Sequence, residues 1–158
     1  MKRINKMDIS KLLFNETLAE LKIGEAADYR NNLEIVTEQE GDIPGIKTLT
    51  LNGFDFEITL LDDVILGIQY DFTYEQTDGL FMMVNDEKLP LNHTLVSKDL
   101  ENFLVSNKIN FDLHESNIEP FTIKLKNLNS AFYFDNDHQL FKISVFDMEL
   151  YRKIINYK

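Results

Sequence analysis

The stretch from Asn52 to Phe72 reads Asn-Gly-Phe-Asp-Phe-Glu-Ile-Thr-Leu-Leu-Asp-Asp-Val-Ile-Leu-Gly-Ile-Gln-Tyr-Asp-Phe. Phe54, Phe56, Ile58 and Leu60 alternate with Asp55, Glu57 and Thr59, the period of a strand with one apolar and one polar face. Asp62-Asp63 interrupts the apolar run where a turn is wanted, and Leu66, Ile68, Tyr70 and Phe72 resume the alternation on a return strand. Upstream, Thr48 to Leu51 opens a strand, and Asn52-Gly53 is the dipeptide favoured in type I′ hairpin turns. Together these segments predict an antiparallel meander of three strands or more, the last running from Val64 to Tyr74.

Working outward toward the N-terminus, Met7 to Leu21 predicts a helix capped by Asp8 or Ser10, with Leu12, Leu13, Leu18 and Leu21 as its apolar stripe. A break at Gly24 precedes a second short helix from about Glu25 to Asn32, then a short strand at Leu33 to Val36. Glu38 to Gly45 is polar, with two Gly and a Pro, and predicts an exposed loop.

Toward the C-terminus, Leu80 to Val84 predicts a strand ended by a turn at Asn85-Asp86 and punctuation at Pro90 and Asn92. Its two Met side chains also suit an exposed recognition edge. Ser97 to Leu104 predicts a helix with Ser97 as N-cap and Glu101 near the capping-box position. Strands follow at Ile109 to Leu113, Phe121 to Leu125, Ala131 to Phe134 and Leu140 to Phe146, with turns at Asn127 to Asn129 and Asp135 to Asp137. Asp147 to Lys158 reads as a terminal helix or tail.

The two halves, 25–74 and 97–147, repeat one order: short helix, short strand, polar loop with a Pro, then three strands. The fold class is therefore α+β, with two related halves in one compact unit of 158 residues, each packing short helices on an antiparallel meander.

Composition narrows the chemistry. The 12 Phe and 6 Tyr supply apolar mass for a core, and the absence of Cys removes disulfides, thiolate nucleophiles and cysteine-bound metals. The basic N-terminus is not followed by the apolar segment of a signal peptide, and no run reaches the ~20 residues of a membrane span, so a cytosolic protein is expected. The 27 acidic against 16 basic residues give a net charge of -11 and argue against nucleic acid as partner. The excess is local. Residues 25–92 carry 15 Asp or Glu against Arg30, Lys47 and Lys88. One surface is expected to carry a negative field, with Asp42, Asp55, Glu57, Asp62, Asp63 and Asp71 as its candidates. The plainer reading is that these carboxylates keep a Phe-rich chain soluble.

No phosphate-cradling Gly-rich loop, Gly-x-Ser-x-Gly elbow or His-Glu-x-x-His helix occurs, so catalysis is not expected and neither a cofactor nor a metal is assigned. His93, His114 and His138 fall in predicted loops or turns at spacings that match no metal motif. Asp135-Asn136-Asp137 opens like a calcium loop but lacks its Gly and its distant Glu, and reads better as a hairpin turn.

Tandem helix-plus-sheet halves resemble the beta-lactamase-inhibitor-protein-like folds, and Leu21-Lys22-Ile23-Gly24-Glu25 before a short helix is similar to the entry those repeats use, although their disulfides are missing here. In profile the chain resembles the bacterial immunity proteins of polymorphic-toxin and contact-dependent-inhibition systems. That resemblance implies a non-catalytic inhibitor blocking the basic cleft of a toxin. The alternative from another class is a small-ligand-binding or enzymatic domain with a Phe- and Tyr-lined pocket between helix and sheet.

Overall fold

The structure is a computed structural model describing residues 6–19, 21–26, 35–51, 54–72, 79–115 and 121–156, without the side chains of 35–37, 51, 54 and 55. The chain begins with β1 (Met7–Asp8), α1 (Ser10–Asn15), β2 (Thr17–Leu18) and β3 (Leu21–Lys22). A meander follows: β4 (Ile35–Glu40), β5 (Ile46–Leu51), β6 (Phe54–Leu61) and β7 (Val64–Asp71). The crossing between meanders holds β8 (Leu80–Val84), β9 (Glu87–Leu91) and α2 (Ser97–Ser106). The second meander is β10 (Phe111–His114), β11 (Phe121–Leu125), β12 (Ser130–Phe134) and β13 (Leu140–Phe146), and α3 (Met148–Asn156) follows.

Both meanders belong to one eight-stranded antiparallel sheet, ordered β10-β11-β12-β13-β7-β6-β5-β4. The seam is the pair β13·β7, where Ile143 faces Tyr70 and Val145 faces Ile68. Apolar residues of both meanders, among them Phe56, Ile58, Tyr70, Ile123, Phe132 and Ile143, join one buried cluster. The same cluster takes in Leu12 and Leu13 of α1, Leu100 and Leu104 of α2 and Met82 of β8. One face of the sheet is therefore roofed by α1, α2 and a three-stranded sheet, β1-β8-β9, as period-2 patterning requires.

Several expectations are corrected. The helix predicted over Met7–Leu21 shrinks to α1, because Glu16 and Ala19 take left-handed φ of 57° and 53° and the chain turns into the β2·β3 hairpin. Leu18 and Leu21 are buried from that hairpin rather than from a helix. Asp8 supplies an oxygen to the Ser10 N–H at 2.9 Å, acting ahead of the helix start. Glu38 to Glu40 is strand, not loop: it pairs with Lys47 to Leu49, and Glu38 meets the Lys47 ammonium at 3.3 Å. Leu80 to Val84 is the central strand of the small sheet with Met82 fully buried, so it is not an exposed edge. Pro90 sits inside β9, on the edge of that sheet, where its missing N–H costs no ladder bond. Val96, not Ser97, holds the N-cap position of α2, since its backbone is extended (φ -92°, ψ 149°) and Ser97 is already helical; the Ser97 N–H, without an intrahelical acceptor, donates to the His138 carbonyl at 2.9 Å. The Asn52-Gly53 turn and most of the helix expected over 25–32 lie outside the described residues.

No helix among the described residues is long and apolar enough to cross a membrane.

Candidate functional site

The acidic candidates whose side chains are described do not gather in one place. Asp42 lies in the β4–β5 turn and Asp62-Asp63 makes the β6–β7 turn, so these three share one end of the sheet. The turns touch: the Asp62 N–H donates to the Gly45 carbonyl at 3.0 Å. A third segment joins them, since Ala26 bridges Val64 and the Ile65 N–H donates to the Glu25 carbonyl at 3.1 Å. Glu25, Glu40, Asp42, Asp62 and Asp63 are all exposed there, and residues 24–26, 40–45 and 61–64 contain no Lys or Arg. Ile43, 41% exposed, puts an apolar side chain in the same turn as Asp42.

Asp62 and Asp63 both hold positive φ, 52° and 65°, the conformation of a type I′ turn. Asp tolerates it better than most residues, and the tight two-residue connection matches the twist of the strands it joins.

The other three candidates are elsewhere. Asp71 closes β7 at the opposite end, directly across from Lys142. Glu57 lies mid-strand on the face away from the core, where its carboxylate accepts from the Gln69 amide at 2.7 Å. Asp55 is in β6, its side chain outside the described ones.

The histidines are also dispersed. His93 is half-buried after β9, and His114 ends β10 as an exposed strand residue rather than a loop residue. His138 lies in the β12–β13 turn, its Nδ1 at 3.3 Å from the Ser97 Oγ and its ring edge-on to Phe121 at 5.2 Å. That turn is built by Asp135, whose Oδ1 accepts the N–H groups of Asp137 and Gln139 at 2.9 and 3.0 Å. Among the described residues no three His, Asp or Glu side chains are grouped to hold a metal ion.

A second feature lies on the outward face of the sheet. Across the strands, Lys124 is opposite Ala131, Ala131 opposite Ser144 and Ser144 opposite Gln69. Ala131 and Ser144 form a low floor, with Tyr133 and Phe146 among the surrounding walls of a cavity of about 290 Å³ that Met148 also lines. A wider depression of about 610 Å³ shares Lys124, Asn129, Phe146 and Met148 with it and reaches Arg152 on α3. Helix α3 buries none of its residues completely, and Asp147, just ahead of it, accepts the Leu150 N–H at 3.0 Å.

No protein-family model, curated protein or solved structure matches this chain.

Sequence patterning pointed to the acidic residues but not to the cavity. The alternation in β11, β12 and β13 places Lys124, Ala131 and Ser144 opposite the core face. Only the strand register brings the three side by side.

Proposed function

We propose that this chain is a non-catalytic binding protein, an acidic inhibitor of the bacterial immunity type acting in the cytosol. It engages a basic protein, such as a toxin, through the end of the sheet where three turns meet. The observation that carries this reading is the junction of the Asp42 and Asp62-Asp63 turns through the Gly45 carbonyl, which concentrates carboxylates around an exposed Ile43. Carboxylates gathered in this way present negative charge where a basic cleft would receive phosphates, raising the rate of encounter and the selectivity for that partner. An exposed apolar side chain among them supplies the anchor that charge alone does not. Glu57 and Asp71 contribute less, because both lie away from that end and the Glu57 carboxylate is already held by the Gln69 amide.

We further read the two meanders as copies of one ancestral unit. Supporting this are their shared order of four strands and their meeting through the equivalent last strands, β7 and β13.

The test is recovery of a basic partner from the host's own lysate and secreted fraction, at low and high salt, by the wild-type chain and by an Asp42→Lys, Asp62→Lys, Asp63→Lys variant. Raising salt from 0.1 to 1 M shortens the screening length from ~10 to ~3 Å and should release the partner. The triple variant should fail to recover it even at low salt, whereas a Glu57→Lys, Asp71→Lys variant should retain it. A partner held equally by all three proteins, or none at any salt, sinks the proposal.

A further inference from the structure

The sequence carries 11 more negative than positive charges, yet the 290 Å³ cavity on the outward face is lined by no Asp or Glu. Its cation is Lys124, which makes no ion pair with a carboxylate among the described residues. The nearest acidic residue in register, Asp112, is directly across from Lys124 on β10, but its carboxylate meets the Lys126 ammonium at 3.6 Å. In the wider depression alongside, Asp147 and Glu149 stand with Arg152, so charge there is mixed. Lys124 lines both depressions, and the narrow one is where it stands with no carboxylate in the lining.

The shape of that part limits what fits it. Ala131 and Ser144 face each other across β12 and β13 and are only 7% and 9% exposed. Larger side chains, among them Tyr133, Phe146 and Met148, stand around these two small ones in the lining of the cavity. Tyr133 is next on the same face of β12 and Phe146 next on that of β13, so rings stand toward either end of the Ala131·Ser144 floor, with Met148 closing the side toward α3. The Ser144 hydroxyl can donate from the floor and the Lys124 ammonium from the adjacent strand. The volume lies at the low end of the ~300–1,000 Å³ typical of ligand sites, where apolar walls and a few placed polar groups set the specificity.

We propose that this cavity binds a small organic anion with a flat apolar body, of the aromatic carboxylate class. The anionic group sits at Lys124 and Ser144, and the body lies on Ala131 between the Tyr133 and Phe146 rings. This site is independent of the acidic turns and does not require the inhibitor reading to hold.

The test is titration of the full chain with benzoate, benzamide and inorganic phosphate, followed by calorimetry and by backbone amide shifts at Ala131 and Ser144. Benzoate carries both charge and ring, benzamide the ring alone, and phosphate the charge alone. Saturable benzoate binding is expected, with the other two weaker by roughly tenfold or more, the effect of losing one charge-assisted contact or the apolar one. Lys124→Met should weaken benzoate by a similar factor while leaving thermal stability unchanged, since Lys124 is exposed. Ala131→Leu should block the cavity, and Ser144→Ala serves if that larger residue disturbs the sheet. The Asp42, Asp62, Asp63 triple variant should bind benzoate as wild type does. The assignment is overturned if benzoate gives no saturable shifts, if benzamide or phosphate matches it, or if Lys124→Met binds it unchanged.

Discussion

The ring of Phe146 occupies the space that a side chain at position 67 would fill: a Cβ built on Gly67 would overlap the Phe146 Cδ2 atom. The two residues face each other across the seam between the meanders. Gly67 costs the strand some backbone entropy, and close packing of the ring across β13·β7 is what that cost permits. Gly67→Ala should therefore destabilise the fold by about 1–3 kcal/mol, as overpacking does. Phe146→Ala removes the obstacle, so the double variant should be more stable than the sum of the two single losses predicts. Urea unfolding of the four proteins measures the coupling, and strict additivity would mean the ring moves aside freely.

Ser130 is fully buried, and its hydroxyl donates to the Leu13 carbonyl in the last turn of α1. Helix ends leave carbonyls without intrahelical partners, and this one is satisfied by the sheet. Ser130→Ala should cost about 1–3 kcal/mol by leaving the acceptor buried and unsatisfied. Loss of amide protection in α1, seen by hydrogen exchange, should accompany it. A variant with unchanged stability and protection would show that water replaces the hydroxyl.

Asp63 holds a φ of 65°, a conformation that Gly adopts without steric penalty. Asp63→Gly creates the Asp-Gly pair preferred in type I′ turns and should raise stability by about 0.5–1 kcal/mol. If the acidic end is an interface, the same change should slow association with a basic partner while shifting the melting temperature upward. A fall in stability would show that the Asp63 side chain supports the turn.

The shared buried cluster predicts one unfolding event. Met82 lies in the small sheet and Phe132 in the second meander, both fully buried within the same cluster. Met82→Ala and Phe132→Ala should each cost about 2–5 kcal/mol and shift a single transition monitored by calorimetry and far-UV dichroism. Two transitions, each moved by only one variant, would show that the parts unfold separately.

Strand content was readable in most strands with one buried face, because period-2 alternation is enforced by the core, but β9 was missed: Pro90 read as punctuation although Leu89 and Leu91 pack on the core. Phe54 to Leu61 and Leu140 to Phe146 keep the bounds their alternation suggested. Helix extent was less readable: Leu12, Leu13, Leu18 and Leu21 fit a helical stripe, but two left-handed residues let a hairpin bury the last two. Glu38 to Glu40 looked like loop because an edge strand with exposed side chains carries no apolar alternation.

The sequence by itself determined the absence of cysteine chemistry, the acidic imbalance and the alternating apolar strands, since these depend on composition and local periodicity. The tertiary structure decided that the two meanders share one sheet, because strand order is set by which edges meet. It decided that the turns carrying Asp42 and Asp62 adjoin while Asp71 lies at the far end, and that Lys124, Ala131 and Ser144 stand in one row. Those relations join residues far apart in the chain, and only backbone pairing between strands fixes them.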